Sequence, residues 1–515
     1  MNARAKKFIM LGLAALLLVG AGLVQKSLNV DRDRLGMTQM ATLDNAPPML
    51  AFTTVALGGF RGLISNFLWI RANDLQQDDK FFEAAQLANW ITDLEPHFSQ
   101  VWVFQGWNMA YNISVKFKDF PDRWRWVYNG ISLLRDKGLH YNPDDVLIYR
   151  ELAWDYQHKM GANLDDANIY YKTEWANEMA PFFGPNGTNF TALVNPQTAL
   201  EKANAQLLRV KYKIDPVFAE KVDEQWGPLD WRLPESHAIY WGAKGLDAAQ
   251  RNPDKVKPDD LIMLRRIIYQ SMQQSFYHGR YLANPFSGHY TLGPNLDLVE
   301  KANDAYLKMY DEESQPNQKD GILRAHRNFL RDAVYFLYEN NRLSEAAKWY
   351  KVLSDKYPDK PILDTHPDSL PKTMTVDDYA VQRVQDELND TSEERTTAVV
   401  QGLLSNAYVE LALGSDDRFE GFQNLVKKIY AHYNQKTSTG ATATTRVPLP
   451  DFNTLKKTVI HDLLDPQQGL PSFAARAVLR TQLGMEPETN SVAVPAPANT
   501  STNASASVST NSTAQ

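Results

Sequence analysis

Residues 65–111 read SNFLWIRANDLQQDDKFFEAAQLANWITDLEPHFSQVWVFQGWNMAY, and apolar residues recur along them at intervals of three and four. Leu68, Ala72 and Leu75 fall on one helical face, Ala84, Ala88 and Ile91 fall on a second, and Pro96 closes the pair. Trp102, Gly106 and Met109 then reoccupy first-helix positions immediately afterward. Far downstream, Leu330, Val334 and Leu337 are followed by Ala346, Tyr350, Leu353 and Pro358 in the same order. Small residues such as Ala84 and Gly106 let two helices approach closely, while Trp102 and Tyr350 are large enough to fill the space between neighbouring pairs. This periodicity, with no sustained alternation of two and no strand-helix alternation, predicts an all-α chain.

At a period near 34 residues the pattern resembles the tetratricopeptide repeat, with weaker echoes at Trp241 and Gly245 and at Ala167 and Tyr171. The match departs from the family after Trp102, where an insertion around Phe117 to Trp126 displaces the second helix. The resemblance implies a divergent helical-repeat (TPR-like) solenoid that holds a protein or peptide partner in a concave groove and carries no catalytic residue. In that register the groove face comprises Asn66, Trp69 and Asn73, then Val103 and Trp107, then Arg331, Tyr335 and Tyr338.

Composition agrees with a large water-exposed body. The chain has 515 residues, of which 43% are hydrophobic and 22% charged, and a mean hydropathy of -0.43 is too polar for a polytopic membrane protein. A net charge of -7 argues against nucleic acid as a partner, and the absence of cysteine removes disulfides, thiolate metal sites and thiol nucleophiles.

The two ends read differently from the body. Arg4, Lys6 and Lys7 precede an uninterrupted apolar run from Phe8 to Val24. That run reaches the lower limit of a spanning helix, about 17 residues, and exceeds the core of an ordinary signal peptide. It predicts a single-pass transmembrane signal-anchor; the alternative is cleavage after Val19-Gly20-Ala21. In either case the basic start stays cytoplasmic and the body is exported, as at a bacterial inner membrane with a periplasmic body. A second apolar stretch, Pro48 to Ala72, is interrupted by Arg61 and reads as a buried first helix. After Glu488 the chain is uncharged and rich in Ser, Thr, Asn and Ala, too poor in apolar surface to offset its chain entropy, which predicts a disordered tail.

The expected organisation is a basic start (1–7), an anchor (8–24), a linker (25–47), a repeat body (48–363), a helical subdomain (376–484) and a tail (485–515). Inserts near 181–196 and 284–295 interrupt the body. Helix starts are expected at Asn142-Pro143-Asp144-Asp145, Lys257-Pro258-Asp259-Asp260 and Thr375-Val376-Asp377-Asp378, where acids flank the positive helix end. Asp230-Trp231-Arg232 reads as a clamp between repeats.

No H-E-x-x-H, phosphate-binding loop, G-x-S-x-G elbow or dinucleotide fingerprint occurs, so no catalytic residue, metal ligand or cofactor is expected. One enzymatic alternative survives: an exported all-α protein that binds or cleaves polysaccharide, using paired carboxylates of raised pKa in an aromatic cleft. An open, shallow groove favours the scaffold instead.

Overall fold

A computed structural model describes Val24 and residues 60–184, 187–253, 256–283, 290–388, 393–438, 447–467, 469–470 and 472–487. The expected anchor apart from Val24, the linker, and the tail beyond residue 487 lie outside the described residues. The described chain is helical almost throughout, and no helix of it is long and apolar enough to cross a membrane. It separates into two compact units, with the division after Arg280.

The first unit opens with α1 (Phe60–Gln77), α2 (Phe81–Leu94) and α3 (Ser99–Trp107). The faces read from the sequence are the buried ones. Ala72, Ala84, Ala88 and Ile91 are fully buried, and Ala88, Ile91 and Val101 form one core cluster with Leu68, Trp69, Phe98 and Phe104 against it. Burying one such large side chain contributes about 1.5–3 kcal/mol. Polar anchors fix the corner: Trp102 Nε1 donates to the carbonyl of Pro96 at 2.8 Å, and Asn108 Nδ2 donates to that of Phe81 at 3.0 Å.

Three helices do not end where the repeat spacing would end them, because each runs into a π-helical segment. α3 continues through Asn108–Ile113; α4 (Phe120–Ser132) continues through Leu133–Gly138; α5 (Val146–Trp154) continues through Asp155–Gly161. Residues 117–126, read from the sequence as an insertion, carry the short junction between α3 and α4 and the first turns of α4. α3 is prolonged to Lys116 by a 3-10 turn, and α4 begins at Phe120, where Asp119 caps it by accepting from the Asp122 N–H.

The remaining helices of the unit are α6 (Asn168–Phe183), α7 (Thr191–Val194), α8 (Ala199–Lys211), α9 (Pro216–Trp226), α10 (Pro234–Arg251) and α11 (Pro258–His278). α5 packs on both α10 and α11, around Val146, Ala249 and Leu264, and Arg150 pairs with Asp260 at 2.9 Å. α11 starts at Pro258 as expected. At the first expected start the cap is Asp145 rather than Asn142; Asn142 instead donates its amide to the carbonyls of Pro96 and Gly138.

The second unit begins with a two-stranded ribbon, β1 (Arg280–Ala283) and β2 (Tyr290–Gly293), where only a loop was expected. Then follow α12 (Val299–Glu312), α13 (Pro316–Glu339), α14 (Leu343–Lys356), α15 (Val376–Leu388), α16 (Glu393–Ala412), α17 (Asp416–Ser438), α18 (Phe452–Leu464) and α19 (Phe473–Gln482). Thr375 Oγ1 accepts from the Asp378 N–H at 3.1 Å, the cap the sequence announced. Side-chain contacts cross the stretch expected to separate the repeat body from the helical subdomain. α13 is tied to the helices beyond it by Arg383 to Asp332 at 2.6 Å, by the Tyr379 hydroxyl donating to the Arg331 carbonyl at 3.0 Å, and by a Tyr338–Asp377–Lys428 cluster.

Candidate functional site

The eight groove residues inferred from the repeat register meet different fates. Asn66 is exposed, whereas Trp69 is half-buried against Phe98 and Phe104, with ring centroids 5.8 and 5.0 Å away. Asn73 spends its amide on the carbonyl of Trp69 at 3.0 Å. Val103 and Trp107 are half-buried. In the second unit Arg331, Tyr335 and Tyr338 are buried, which corrects their assignment to an open face. Arg331 pairs with Asp364 at 2.9 Å, Arg383 lies over the Tyr335 ring, and Tyr338 belongs to the cluster with Asp377 and Lys428. Helices after residue 375 cover these side chains: Tyr379 and Arg383 lie against Arg331 and Tyr335, and Asp377 and Lys428 against Tyr338.

Trp107 leads to a site that the register did not anticipate. It stacks on Tyr111 at 5.7 Å, the Tyr111 hydroxyl lies 3.1 Å from His158 Nδ1, and His158 stacks on Trp154 at 4.4 Å and 12°. Two pairs, each one helical turn apart, thus face each other across two π-helical segments and form a ladder Trp107–Tyr111–His158–Trp154. The W-x3-Y and W-x3-H spacings were visible in the sequence; that they face each other was not.

Two clefts flank the ladder, and His158 and Leu164 line both. The smaller, about 320 Å³, carries charge. Asp165 accepts from Lys159 Nζ at 2.6 Å and from Arg123 Nη1 at 3.1 Å. Burial alone would raise its pKa, but the hydrogen bonds from Lys159 and from the Ala167 N–H hold the carboxyl below its ordinary value. Burial lowers His158, and the Lys159 charge adds to that effect.

The larger cleft, about 600 Å³, is walled by Trp154, Gln157, Asn163, Gln270, Gln273, Gln274 and Tyr277 among others. Its amides are only partly used. Gln157 Nε2 donates to the Ile267 carbonyl and to Gln270 Oε1, at 3.3 and 3.2 Å. Gln157 Oε1, Gln273 Nε2 and Gln274 Oε1 are buried with no hydrogen-bond partner among the described residues. Gly161 fits tightly at the corner: a Cβ there would lie 3.1 Å from the carbonyl oxygen of Tyr156 and 3.3 Å from Glu235 Oε1. Burial pushes the Glu235 carboxyl up to about 7, against the pull of the Lys172 charge.

Paired carboxylates of raised pKa do occur, as Glu151 and Asp155, one turn apart on α5 and its extension. Burial lifts Glu151 to about 7, with Arg150 opposing, and lifts Asp155 well above the carboxylate range, with Glu151 reinforcing the shift. Neither lines either of these two clefts, and Asp155 is fully buried. Among the described residues no group of three or more His, Asp or Glu is arranged to hold a metal ion.

The Asp230-Trp231-Arg232 motif is internal bracing. Asp230 accepts from Arg232 Nε and Nη2 at 2.8 and 2.6 Å, the Trp231 N–H donates to the Gly187 carbonyl, and Trp231 Nε1 donates to Asp223 Oδ1. A Cβ on Gly187 would collide with the Asp230 carboxylate, so the 181–196 insert is seated on this clamp. The chain matches no protein-family model, no curated protein and no solved structure.

Proposed function

We propose that this chain is a membrane-anchored, extracytoplasmic helical-repeat scaffold that binds an extended peptide segment of a partner protein in the larger cleft of its first unit. The observation that carries the reading is the set of unpartnered amide atoms on Gln157, Gln273 and Gln274 in one cleft. Buried polar groups are otherwise nearly always satisfied, and side-chain amides, each both donor and acceptor, match the backbone of an extended chain. Trp154 and Tyr277 on the same walls supply rigid aromatic contact. Consecutive helices pack as pairs, α1 with α2 and α13 with α14 among them, as a helical-repeat array requires. The recessed position of Glu151 and Asp155 favours binding over hydrolysis, and the Phe8 to Val24 run supplies the anchor.

The test is recovery of partners by the full chain from detergent-solubilised membranes, with Trp154→Ala and Gln273→Ala alongside the unsubstituted protein. Partner recovery is expected to fall about tenfold in each variant, as for a residue at a binding hot spot, while the melting temperature holds. Full recovery in both variants removes the cleft from the reading, and recovery of glycan in place of protein replaces it by the polysaccharide alternative.

A further inference from the structure

A third cleft of the first unit, about 300 Å³ in volume, is lined by residues of α5 and α10 among others, and its lining is cationic. Arg135, Lys213, Lys244 and Arg251 contribute to it, against Asp136 and Asp247. Two of the four cations are already spent. Arg251 pairs with Asp144 and Asp247, and Arg135 directs Nε and Nη2 at Asp136, at 2.8 and 2.7 Å. The other two are not: Lys213 and Lys244 form no ion pair among the described residues, and Lys244 rests over the Phe218 ring at 4.0 Å.

Two buried donors in the lining are also unmet. Arg135 is 4% exposed, yet its Nη1 has no hydrogen-bond partner; Trp241 is 2% exposed, and its indole Nε1 has none. A buried N–H left without an acceptor costs about 1–3 kcal/mol, so two in one cleft call for an acceptor that the chain does not supply.

We propose that this cleft binds the phosphate group of a phosphomonoester. The two unpaired ammonium groups call for a dianion. A guanidinium N–H and an indole N–H besides them call for an acceptor with several oxygens, and a phosphomonoester offers three terminal oxygens and up to two charges where a carboxylate offers two and one. The Tyr149 and Trp241 rings, 6.2 Å apart, form an apolar wall for the organic part of the ester. The volume suits a small molecule or the headgroup of a phosphorylated lipid.

The experiment uses the full chain in phosphatidylcholine nanodiscs at constant ionic strength, titrated with glycerol 3-phosphate and with inorganic phosphate, and separately in nanodiscs that also hold phosphatidic acid. Saturable stabilisation against heat is expected below about 10 mM soluble phosphate ester or with phosphatidic acid, and which arm responds identifies the source. Lys213→Gln combined with Lys244→Gln is expected to weaken binding at least tenfold. Because Lys213 is exposed, Lys213→Gln alone is expected to leave the ligand-free melting temperature unchanged and still weaken binding. Trp241→Phe removes only the indole N–H from the wall and is expected to weaken binding as well. Absence of a saturable shift in every arm, or a shift that survives both the double lysine variant and Trp241→Phe, overturns the assignment.

Discussion

Glu235 is 2% exposed, and burial that lifts its carboxyl to about 7 makes the stability of the fold depend on pH. Between its ordinary value of 4.5 and about 7 the native carboxyl keeps a proton that the unfolded chain has released. The native state binds more protons there, so its stability falls as pH rises through that window. The contribution is fully present below the unfolded value and lost above about 7, and amounts to at most about 3 kcal/mol. Glu235→Gln is therefore expected to melt with the unsubstituted protein at pH 5 and above it at pH 8, which a pair of calorimetric scans checks; identical curves at both pH values would show that the group titrates normally. None of this was legible in the sequence. Glu235 reads there as one more acid in the first turn of a helix, and only the fold brings Lys172, Gly161 and Gln274 around it. Trp107 was singled out as a groove residue, and the fold stacks it on Tyr111 beside His158 and Trp154 from another helix.

At the scale of helices, the small residues were informative and the π segments were not. A Cβ on Gly106 would sit 2.8 Å from the Leu134 side chain, and a Cβ on Gly130 would sit 2.7 Å from the Gly106 carbonyl oxygen. The first obstacle is a side chain that can rotate away; the second is backbone. Gly130→Ala is accordingly expected to lower stability by about 1–3 kcal/mol and Gly106→Ala by less, the order being read from denaturant midpoints at unchanged slope. Gly106 was recognised in advance because it recurs in the repeat pattern. Gly130 was missed because the π turns at Asn108–Ile113 and Leu133–Gly138 shift the register of facing residues, and no residue type announces a π turn. The same shift made the start of α4 look like an insertion.

At the scale of the whole chain, helical content followed from periodicity, but the division into units did not. The stretch 364–375 has the Pro, Asp and Thr composition of a linker, yet it is packed: Ser369 Oγ accepts from the Leu363 N–H at 2.9 Å, and the Tyr350 hydroxyl donates to the carbonyls of Pro371 and Met374. The division between the two compact units, after Arg280, falls where a helix gives way to a short ribbon. What remains a matter of sequence physics is how the chain is held. Roughly 17 apolar residues bury about enough surface to span a thin hydrocarbon core, and three basic residues before them resist export while none of comparable density follows at once. A reporter fused after Lys26 should therefore be active only outside the cytoplasm, and the full chain should stay in the membrane pellet after an alkaline wash. Release into the wash with the reporter still exported would mean that Val19-Gly20-Ala21 is cut, and that the two units work free of the bilayer; a reporter active only in the cytoplasm would reverse the orientation from which the extracytoplasmic partner was inferred.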